Sequence, residues 1–177
     1  MIFKKTKIKG CYKIDLNTLQ DDRGFFARLF CLSEFKKNKV KIKNFVQSNN
    51  SFSKKKGTFR GFHFQKKPHQ EDKLIRCIKG EVFNICLDLR KNSKTYLKWV
   101  GLDLSEKNRS MMLVPKGCAN AHLTLKKNSE IIYFTSQYYA PKYESGIRYN
   151  DRNIKLRLPL KVSEISDKDL NWQDLKK

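Results

Sequence analysis

The sequence has no apolar run that approaches the roughly 20 residues of a membrane-spanning helix. Its first residues, Met1 to Lys5, lack the apolar stretch of a secretory signal peptide. No internal repeat and no low-complexity linker divides the 177 residues. We therefore expect one domain, residues 1–177, with a core of its own and no membrane partner.

Cofactor and metal motifs are also missing. The chain contains no G-x-G-x-x-G fingerprint, no Walker loop and no Ser or Cys nucleophile motif. Its three histidines, His63, His69 and His122, form no His-x-His pair, so a site of two histidines and one carboxylate could arise only by chance folding. We predict that the protein binds no metal and no organic cofactor.

Cysteine pairs of the C-x-x-C type are absent too. Most of the five cysteines lie within apolar strand patterns, which favours reduced core residues of a cytoplasmic protein. They are Cys11, Cys31, Cys77, Cys86 and Cys118.

Positive charge is plentiful, with a formal net charge of +22. Only nine of the 39 basic residues are arginine, and the lysines are spread over the whole length in pairs and triplets. A nucleic-acid binder usually clusters its charge and favours arginine for bidentate contacts. We therefore interpret the lysines as solvated surface and expect no nucleic-acid partner. A basic field would still attract an anionic substrate such as a nucleotide sugar.

Short strand patterns recur at about ten-residue spacing and predict an antiparallel sandwich or barrel. The clearest covers residues 82–89, where Phe83, Ile85 and Leu87 alternate with Asn84 and Cys86. Two short helices are expected, one capped by Ser33 and one over residues 166–172. The other main strands are predicted at residues 59–65, 74–78, 95–104, 111–114, 121–125, 130–137 and 154–158.

Residues 58–73 hold the most promising chemistry. Strict alternation over the strand at 59–65 places His63 with Gly61 on one face, and Arg60 with Phe62 on the other. Histidine has a pKa suited to a general base. Lys73 begins another strand after a turn. A base, an arginine and a lysine in one segment indicate a site for an anionic, carbonyl-bearing substrate.

Each candidate also has a structural interpretation. His63 could be an ordinary strand histidine, and Tyr133 either a strand aromatic or a phenolic proton donor. Lys73 could be a surface lysine or, beside a carbonyl, the cation that stabilises an enolate oxygen. Asp169 could orient His63, or Ser166-x-x-Asp169 could be only a capping box. The spacing leaves these alternatives open.

Several segments match one known family in order along the chain. They are Asp22-Arg23-Gly24-Phe25-Phe26, Gln47-Ser48-Asn49, Phe59-Arg60-Gly61-Phe62-His63-Phe64-Gln65, Gly80-Glu81-Val82-Phe83-Asn84, Val114-Pro115-Lys116-Gly117, Tyr138-Tyr139-Ala140-Pro141, Gly146-Ile147-Arg148-Tyr149-Asn150-Asp151 and Ser166-Asp167-Lys168-Asp169. Over nearly its whole length the chain thus resembles the dTDP-4-dehydrorhamnose 3,5-epimerase family.

The resemblance implies an all-β fold, an antiparallel jelly-roll (cupin-like) barrel with a few short helices, including one at the C-terminus. It implies a homodimer that exchanges N-terminal strands and works without metal or cofactor. The implied substrate is a nucleotide-diphospho-4-keto sugar, a 4-keto-6-deoxyhexose or a 4-keto-heptose for bacterial surface polysaccharide. The implied reaction inverts C3, C5 or both through an enolate.

The resemblance also implies residue roles. His63 would be the base, oriented by Asp169, Lys73 would hold the enolate oxygen, and Tyr133 would return a proton from the opposite face. The implied substrate-binding residues are Arg60, Gln47, Asn49, Arg23 and Phe26, the last two reaching the nucleotide across the dimer.

Three positions depart from the family pattern. Asn120 stands where the family has a second histidine, and His122 follows two residues later, about 7 Å along the strand. Asn84 replaces an aspartate and Arg28 a glutamate. We expect Asn120, Asn84 and Arg28 to touch the substrate and to alter its identity or the number of centres inverted. The alternative function is a sugar-nucleotide binder or ketoisomerase-like relative that does not epimerise. His69 is expected at the surface, near a loop.

Overall fold

The computed structural model describes residues 1–175 and has two antiparallel sheets packed face to face, with short helices at their margins. The first sheet has the order β1 (Ile2–Lys5), β2 (Tyr12–Asp15), β10 (Met111–Val114), β7 (Lys73–Lys79), β12 (Ser129–Thr135) and β5 (Gln47–Ser53). The second has the order β13 (Glu144–Gly146), β6 (Phe59–Gln65), β11 (Cys118–Thr124), β8 (Glu81–Asp88) and β9 (Trp99–Ser105). Separate from both are the hairpin β3 (Thr18–Asp21) and β4 (Gly24–Ala27), the helices α1 (Leu32–Lys37) and α2 (Asp167–Leu170), and a 3-10 turn at Pro141–Tyr143.

The predicted all-β jelly roll is thereby confirmed, and the alternation in β8 shows how its core is built. Cys86 packs between the sheets with Ile75 and Met112, whereas Ile85 and Leu87 face the outer side of the second sheet. Because successive side chains of a strand point to opposite faces, each sheet supplies one inner and one outer apolar layer. The inner layer forms the packed core between the two sheets.

The outer layers are covered by segments without strand pairing. Residues 154–158, predicted as a strand, form none. Ile154, Leu156 and Leu158 instead pack on the outer side of the second sheet. Phe35 of α1 covers the first sheet in the same way. Alternating apolar residues thus indicate burial here, but no neighbouring strand is available for pairing.

Two smaller predictions also need correction. The N-cap of α1 is Cys31 rather than Ser33, and it makes no side-chain capping bond. The strand expected from residue 95 begins only at Trp99. Four of the five cysteines are buried as predicted, whereas Cys31 is half-buried, and all five are free thiols. No helix within residues 1–175 is both long and apolar enough to span a bilayer.

The β3–β4 hairpin stands apart from both sheets. It is closed by the predicted turn at Asp22 and Arg23, where Arg23 pairs with Asp21. Leu19 and Phe26 are each 65 % exposed. Large apolar side chains exposed together on one hairpin are typical of a surface that packs against another protein.

Candidate active site

The β6 strand does not alternate strictly, and this places two of the predicted site residues together. His63 lies opposite Asn120 of β11, whereas Arg60 lies opposite His122, so the two residues Gly61 and Phe62 of β6 face the single residue Ala121 of β11. Such a β-bulge re-aims side chains. Arg60 and His63 therefore share the inner face, and the prediction of opposite faces is wrong.

Gly61 makes this bulge possible. Its φ is +129°, and a Cβ at this position would lie 2.5 Å from the Cβ of Ala121 and 2.6 Å from its Cα. Neither that backbone conformation nor that approach suits a residue with a side chain. Phe62, the next residue, is fully buried on the outer side of the sheet against Phe59.

His63 is bound to Asp169, as predicted. Its Nε2 lies 2.6 Å from Asp169 Oδ1. The same carboxylate accepts hydrogen bonds from the Gly61 amide at 3.1 Å and from Trp172 Nε1 at 3.2 Å. Burial alone would raise the pKa of Asp169, but the hydrogen bond and charge of His63, with the other donors, hold it below the usual value. An ionised Asp169 accepts a hydrogen bond from Nε2–H of His63, so the proton stays on Nε2 and Nδ1 is the basic nitrogen.

The start of α2 shows which role the Ser166–Asp169 spacing plays. Ser166 Oγ accepts a hydrogen bond from the Asp169 amide, so Ser166 caps the helix. The Asp169 carboxylate does not close a reciprocal capping box and points to His63 instead. The Ser166–Asp169 spacing thus serves both purposes, through the backbone of Asp169 in one case and its side chain in the other.

Tyr133 and Lys73 lie on the first sheet and line the same cleft as His63 on the second. Burial and, as a smaller contribution, the negative charge of the nearby Glu71 raise the pKa of the Tyr133 phenol, so Tyr133 keeps its proton at neutral pH. Lys73 Nζ lies 3.1 Å from Glu71 Oε1 in a largely buried ion pair. The cleft thus places a base on one wall, and a phenol and an ammonium group on the other. Its lining residues are Gln47, Asn49, His63, Phe64, Gln65, Glu71, Lys73, Tyr133, Thr135, Tyr139 and Glu144.

Two predicted binding residues, Gln47 and Asn49, line this cleft, whereas a third, Arg60, is not part of its lining. Gln47 Nε2 donates to Asn49 Oδ1 at 3.0 Å, on the edge strand β5. Arg60 reaches across to the same strand and donates to Ser53 Oγ and the Phe52 carbonyl, both at 3.2 Å. These bonds use the Nε and Nη2 of Arg60.

The two substituted asparagines meet on the inner wall of the second sheet. Asn120 Nδ2 donates to Asn84 Oδ1 at 3.2 Å and to the Ile85 carbonyl at 3.0 Å. Asn84 is fully buried and donates to Met112 Sδ. His122 lies beside them, 6 % exposed, and burial, followed by the charge of Arg60, lowers its pKa to about 3. The ring is therefore neutral.

The predicted nucleotide-binding residues Arg23, Phe26 and Arg28 do not line the cleft of their own chain. Arg23 and Phe26 are on the hairpin, and Arg28 pairs with Glu34 at 3.0 Å. Glu34 also binds the amino group of Met1, so Arg28 belongs to an ion-pair network at the N-terminus. The guanidinium of Arg28 is thus paired with a carboxylate outside the cleft of its own chain.

The sequence reasoning missed the acidic residues Glu71 and Glu144. Glu71 stands in a charged run before Lys73, which looks like a solvated turn, yet its side chain is 9 % exposed. Glu144 accepts from Tyr139 Oη and from Lys168 Nζ, both at 2.7 Å, and so ties β13 to α2 beside Asp169. No spacing rule in the sequence indicates either contact.

A larger cavity, of about 880 Å³, lies on the other side of Phe64 and is lined mainly by exposed lysines and apolar residues. It contains none of the predicted catalytic residues, so the chemistry assigns the site to the smaller cleft. Within residues 1–175 no group of three or more His, Cys, Asp or Glu side chains is placed to hold a metal. His69, half-buried, stacks on Tyr143 outside the cleft.

Comparison with known proteins gives consistent matches. A family model described as dTDP-4-dehydrorhamnose 3,5-epimerase matches residues 5–177. A protein of that name from Methanothermobacter thermautotrophicus is 39 % identical over 177 residues, covering 98 % of this chain and 94 % of the relative. The Bacillus anthracis protein of the same name, solved with TDP and PPi bound, has a TM-score of 0.94 at 34 % identity and covers 98 % of this chain and 99 % of its own.

A second solved structure carries a sugar nucleotide. It is the dTDP-6-deoxy-D-glucose-3,5-epimerase of Legionella pneumophila in complex with dTDP-4-keto-L-rhamnose. It has a TM-score of 0.91 at 32 % identity, and the match covers 98 % of this chain and 92 % of its own. All these matches extend over the segments that form the cleft.

Proposed function

Because this chain belongs to the dTDP-4-dehydrorhamnose 3,5-epimerase family, and is therefore an isomerase, we propose that it inverts C3, C5 or both of a nucleotide-diphospho-4-keto sugar. The observation that supports this most directly is the cleft that brings His63, bound to Asp169, together with Lys73 and Tyr133. These are the groups that proton removal beside a ketone requires.

The first step is removal of a C–H proton by His63. A ketone at C4 acidifies the protons at C3 and C5, because the resulting carbanion is an enolate. Asp169 holds the proton on Nε2, so Nδ1 is free to accept the one from carbon. The imidazolium that forms is stabilised by the adjacent carboxylate. The C–H bond breaks, its electron pair forms the enolate, and the charge moves to the C4 oxygen.

Lys73 stabilises that oxygen, and Tyr133 completes the inversion. Lys73 is held by Glu71 in a largely buried position, where an ammonium interacts strongly with a developing oxyanion. Tyr133 carries its proton at neutral pH and lies on the sheet opposite His63. A sugar between the sheets thus loses a proton to one wall and gains one from the other, which inverts the carbon. The mechanism uses no metal and no organic cofactor.

The substrate that we propose is a nucleotide-linked 4-keto-6-deoxyhexose or 4-keto-heptose that serves as a precursor of bacterial surface polysaccharide. We propose that the reaction takes place in the cytoplasm. Asn84 and Asn120 support a divergence from the family's substrate. Together they form a neutral amide pair, whereas the family pattern has an aspartate and a histidine. The proton-transfer residues are retained, so the difference concerns which sugar is held and which centres react.

We further propose a homodimer in which the hairpin of each subunit completes the site of the other. The enclosed part of the cleft measures about 100 Å³, well below the roughly 300–1,000 Å³ of typical ligand pockets. Much of a nucleotide sugar must therefore lie outside it. The exposed hairpin carries Arg23 and Phe26, a cation and an aromatic ring suited to a nucleotide. Strand β5, an edge of the first sheet, passes the cleft and offers a free edge for pairing.

The test is proton exchange in deuterium oxide, followed by NMR, with a panel of nucleotide-linked 4-keto-hexoses and 4-keto-heptoses. We expect the H3 signal, the H5 signal or both to disappear with at least one substrate. His63→Asn should lose the exchange and keep the fold, and His69→Asn, outside the cleft, should exchange like the wild type. A wild-type protein that exchanges no proton in any member of the panel would contradict the proposal.

The alternative, a non-epimerising sugar-nucleotide binder or ketoisomerase-like relative, is favoured by the replacement of a titratable pair by Asn84 and Asn120. It predicts tight binding of the sugar nucleotide without exchange at C3 or C5. Measuring the binding of the same sugar nucleotides by calorimetry separates the two functions, because only the alternative predicts binding without proton exchange.

A further inference from the structure

His122 lies on the inner wall of the second sheet but has no role in the mechanism above. It is two residues after Asn120 on β11, so both side chains point to the same face. Its cross-strand neighbours are Arg60 on one side and Asn84 on the other. Directly opposed residues of antiparallel strands have Cβ atoms about 4.5–5.5 Å apart. His122 is therefore one step along the wall from the His63–Asn120 pair.

The imidazole of His122 is 6 % exposed, and none of residues 1–175 forms a hydrogen bond with it. The charged groups around it have other partners. Arg60 donates to β5, and His63 and Asp169 bind each other. In the described chain the only fully buried side-chain polar atom without a partner is Arg76 Nε. The His122 nitrogens are therefore not completely enclosed. The ring is not itself in the lining of the cleft, but it lies one step along the wall from His63, which is.

Asn120 presents a defined group beside this ring. Its Nδ2 is directed at two backbone carbonyls, those of Ile85 and Ala121, as well as at Asn84 Oδ1. Carbonyl oxygens only accept hydrogen bonds, so the amide orientation is fixed, and Oδ1 is the atom left for a ligand. Asn120 can then only accept a hydrogen bond. A neutral imidazole supplies the complementary pair, one N–H donor and one acceptor nitrogen.

We infer that His122 hydrogen-bonds a hydroxyl group of the substrate's sugar and, with Asn120, helps to determine which sugar the cleft accepts. A hydroxyl group both donates and accepts hydrogen bonds. It can therefore pair with the acceptor oxygen of Asn120 and with the donor or acceptor nitrogen of His122. A site built to bind a hydroxyl also rejects analogues that lack it, because its own polar groups are then left unpaired. The inference rests on the proposed function, since it takes the ligand to be a sugar nucleotide.

The test compares binding of dTDP-glucose and of dTDP by calorimetry for the wild type, His122→Phe and His122→Gln. Phenylalanine keeps an aromatic ring without hydrogen bonds, and glutamine restores a donor and an acceptor. We expect His122→Phe to weaken dTDP-glucose binding about ten-fold, or about 1.4 kcal/mol, and to change dTDP binding less than two-fold. His122→Gln should recover most of the loss. His69→Phe is the matched control and should behave as the wild type.

Several results would overturn the inference. They are equal binding of dTDP-glucose by His122→Phe and the wild type, equal weakening of dTDP and dTDP-glucose, or a wild type that gains nothing from the glucose. A folding defect is identified separately, because it would lower the melting temperature and would weaken the binding of dTDP as well. Because this assay measures binding alone, its outcome is independent of the exchange experiment. A protein that exchanges protons but shows no effect of His122 refutes only the inference.

Discussion

Replacing Asp169 by asparagine removes the carboxylate that orients His63 and changes little else in shape. Three donors converge on this group, from His63 Nε2, the Gly61 amide and Trp172 Nε1. An asparagine offers one oxygen and one NH2 group in their place. If the NH2 faces His63, the proton of the imidazole moves to Nδ1, and the nitrogen that faces the cleft is no longer a base.

The expected magnitude follows from these contacts. General base catalysis typically contributes about 10²–10⁴-fold, so the rate of proton exchange should fall by about that factor. Loss of the ionised acceptor should also lower the free energy of unfolding by about 1–3 kcal/mol. The helix start should persist, because Ser166 binds the backbone amide of Asp169, not its side chain.

The assay is deuterium incorporation at saturating substrate, with thermal unfolding recorded on the same samples. Asp167→Asn is the control, since this exposed aspartate occupies the same helix turn without a side-chain hydrogen bond in the described chain. It should match the wild type in both measurements. A folded Asp169→Asn protein that keeps its exchange rate within about three-fold would refute the assignment of His63 as an Asp169-oriented base.

Three further variants test the remaining parts. Tyr133→Phe should still wash deuterium into the substrate through His63 but yield little inverted product, which NMR of the product configuration would reveal. Lys73→Met should slow exchange by about 10²–10³-fold, and a rate near the wild type's would exclude Lys73 as the enolate partner. Asp88→Asn should lower the free energy of unfolding by about 3–5 kcal/mol at pH 7, because it leaves Arg90 without its charged partner. Burial alone would raise the pKa of Asp88, but the hydrogen bonds from Arg90 and the other donors lower it. A lowered folded-state pKa contributes stability above the ordinary value of 3.8, so the difference between the wild type and Asp88→Asn should shrink as the pH falls below about 4.

Much of the fold could be predicted from the sequence because side-chain burial follows the period of the backbone. In β8 the alternation of Ile85 with Cys86 predicted both faces correctly. The same rule failed at residues 154–158, where alternate side chains are buried on a sheet but the backbone pairs with no strand. Periodicity thus reports which side chains are covered and does not report which backbone groups are paired.

The site was predictable where residue types carry the chemistry, and unpredictable where geometry does. His63, Lys73 and Tyr133 converge as expected. The bulge at Gly61 was not predicted, although a glycine within a strand pattern often marks a bulge, because strict alternation was extended through it. The contact of Asn84 with Asn120 depends on the register of β8 against β11, which no local pattern fixes.

The arrangement of the two sheets separates the chemistry of inversion from the choice of carbon. His63 and Tyr133 lie on opposite sheets, so any acidic C–H held between them can be inverted, whichever carbon it belongs to. C3 and C5 both flank the ketone, so the protons of both are acidified by it. What distinguishes them is the orientation of the sugar, which depends on the groups that hold its hydroxyls. The inferred sugar contact of His122 and Asn120 would add this wall to those groups, at positions where the residues differ from the family pattern. The number of centres inverted should therefore change when this wall is altered, even though the base and the acid are retained.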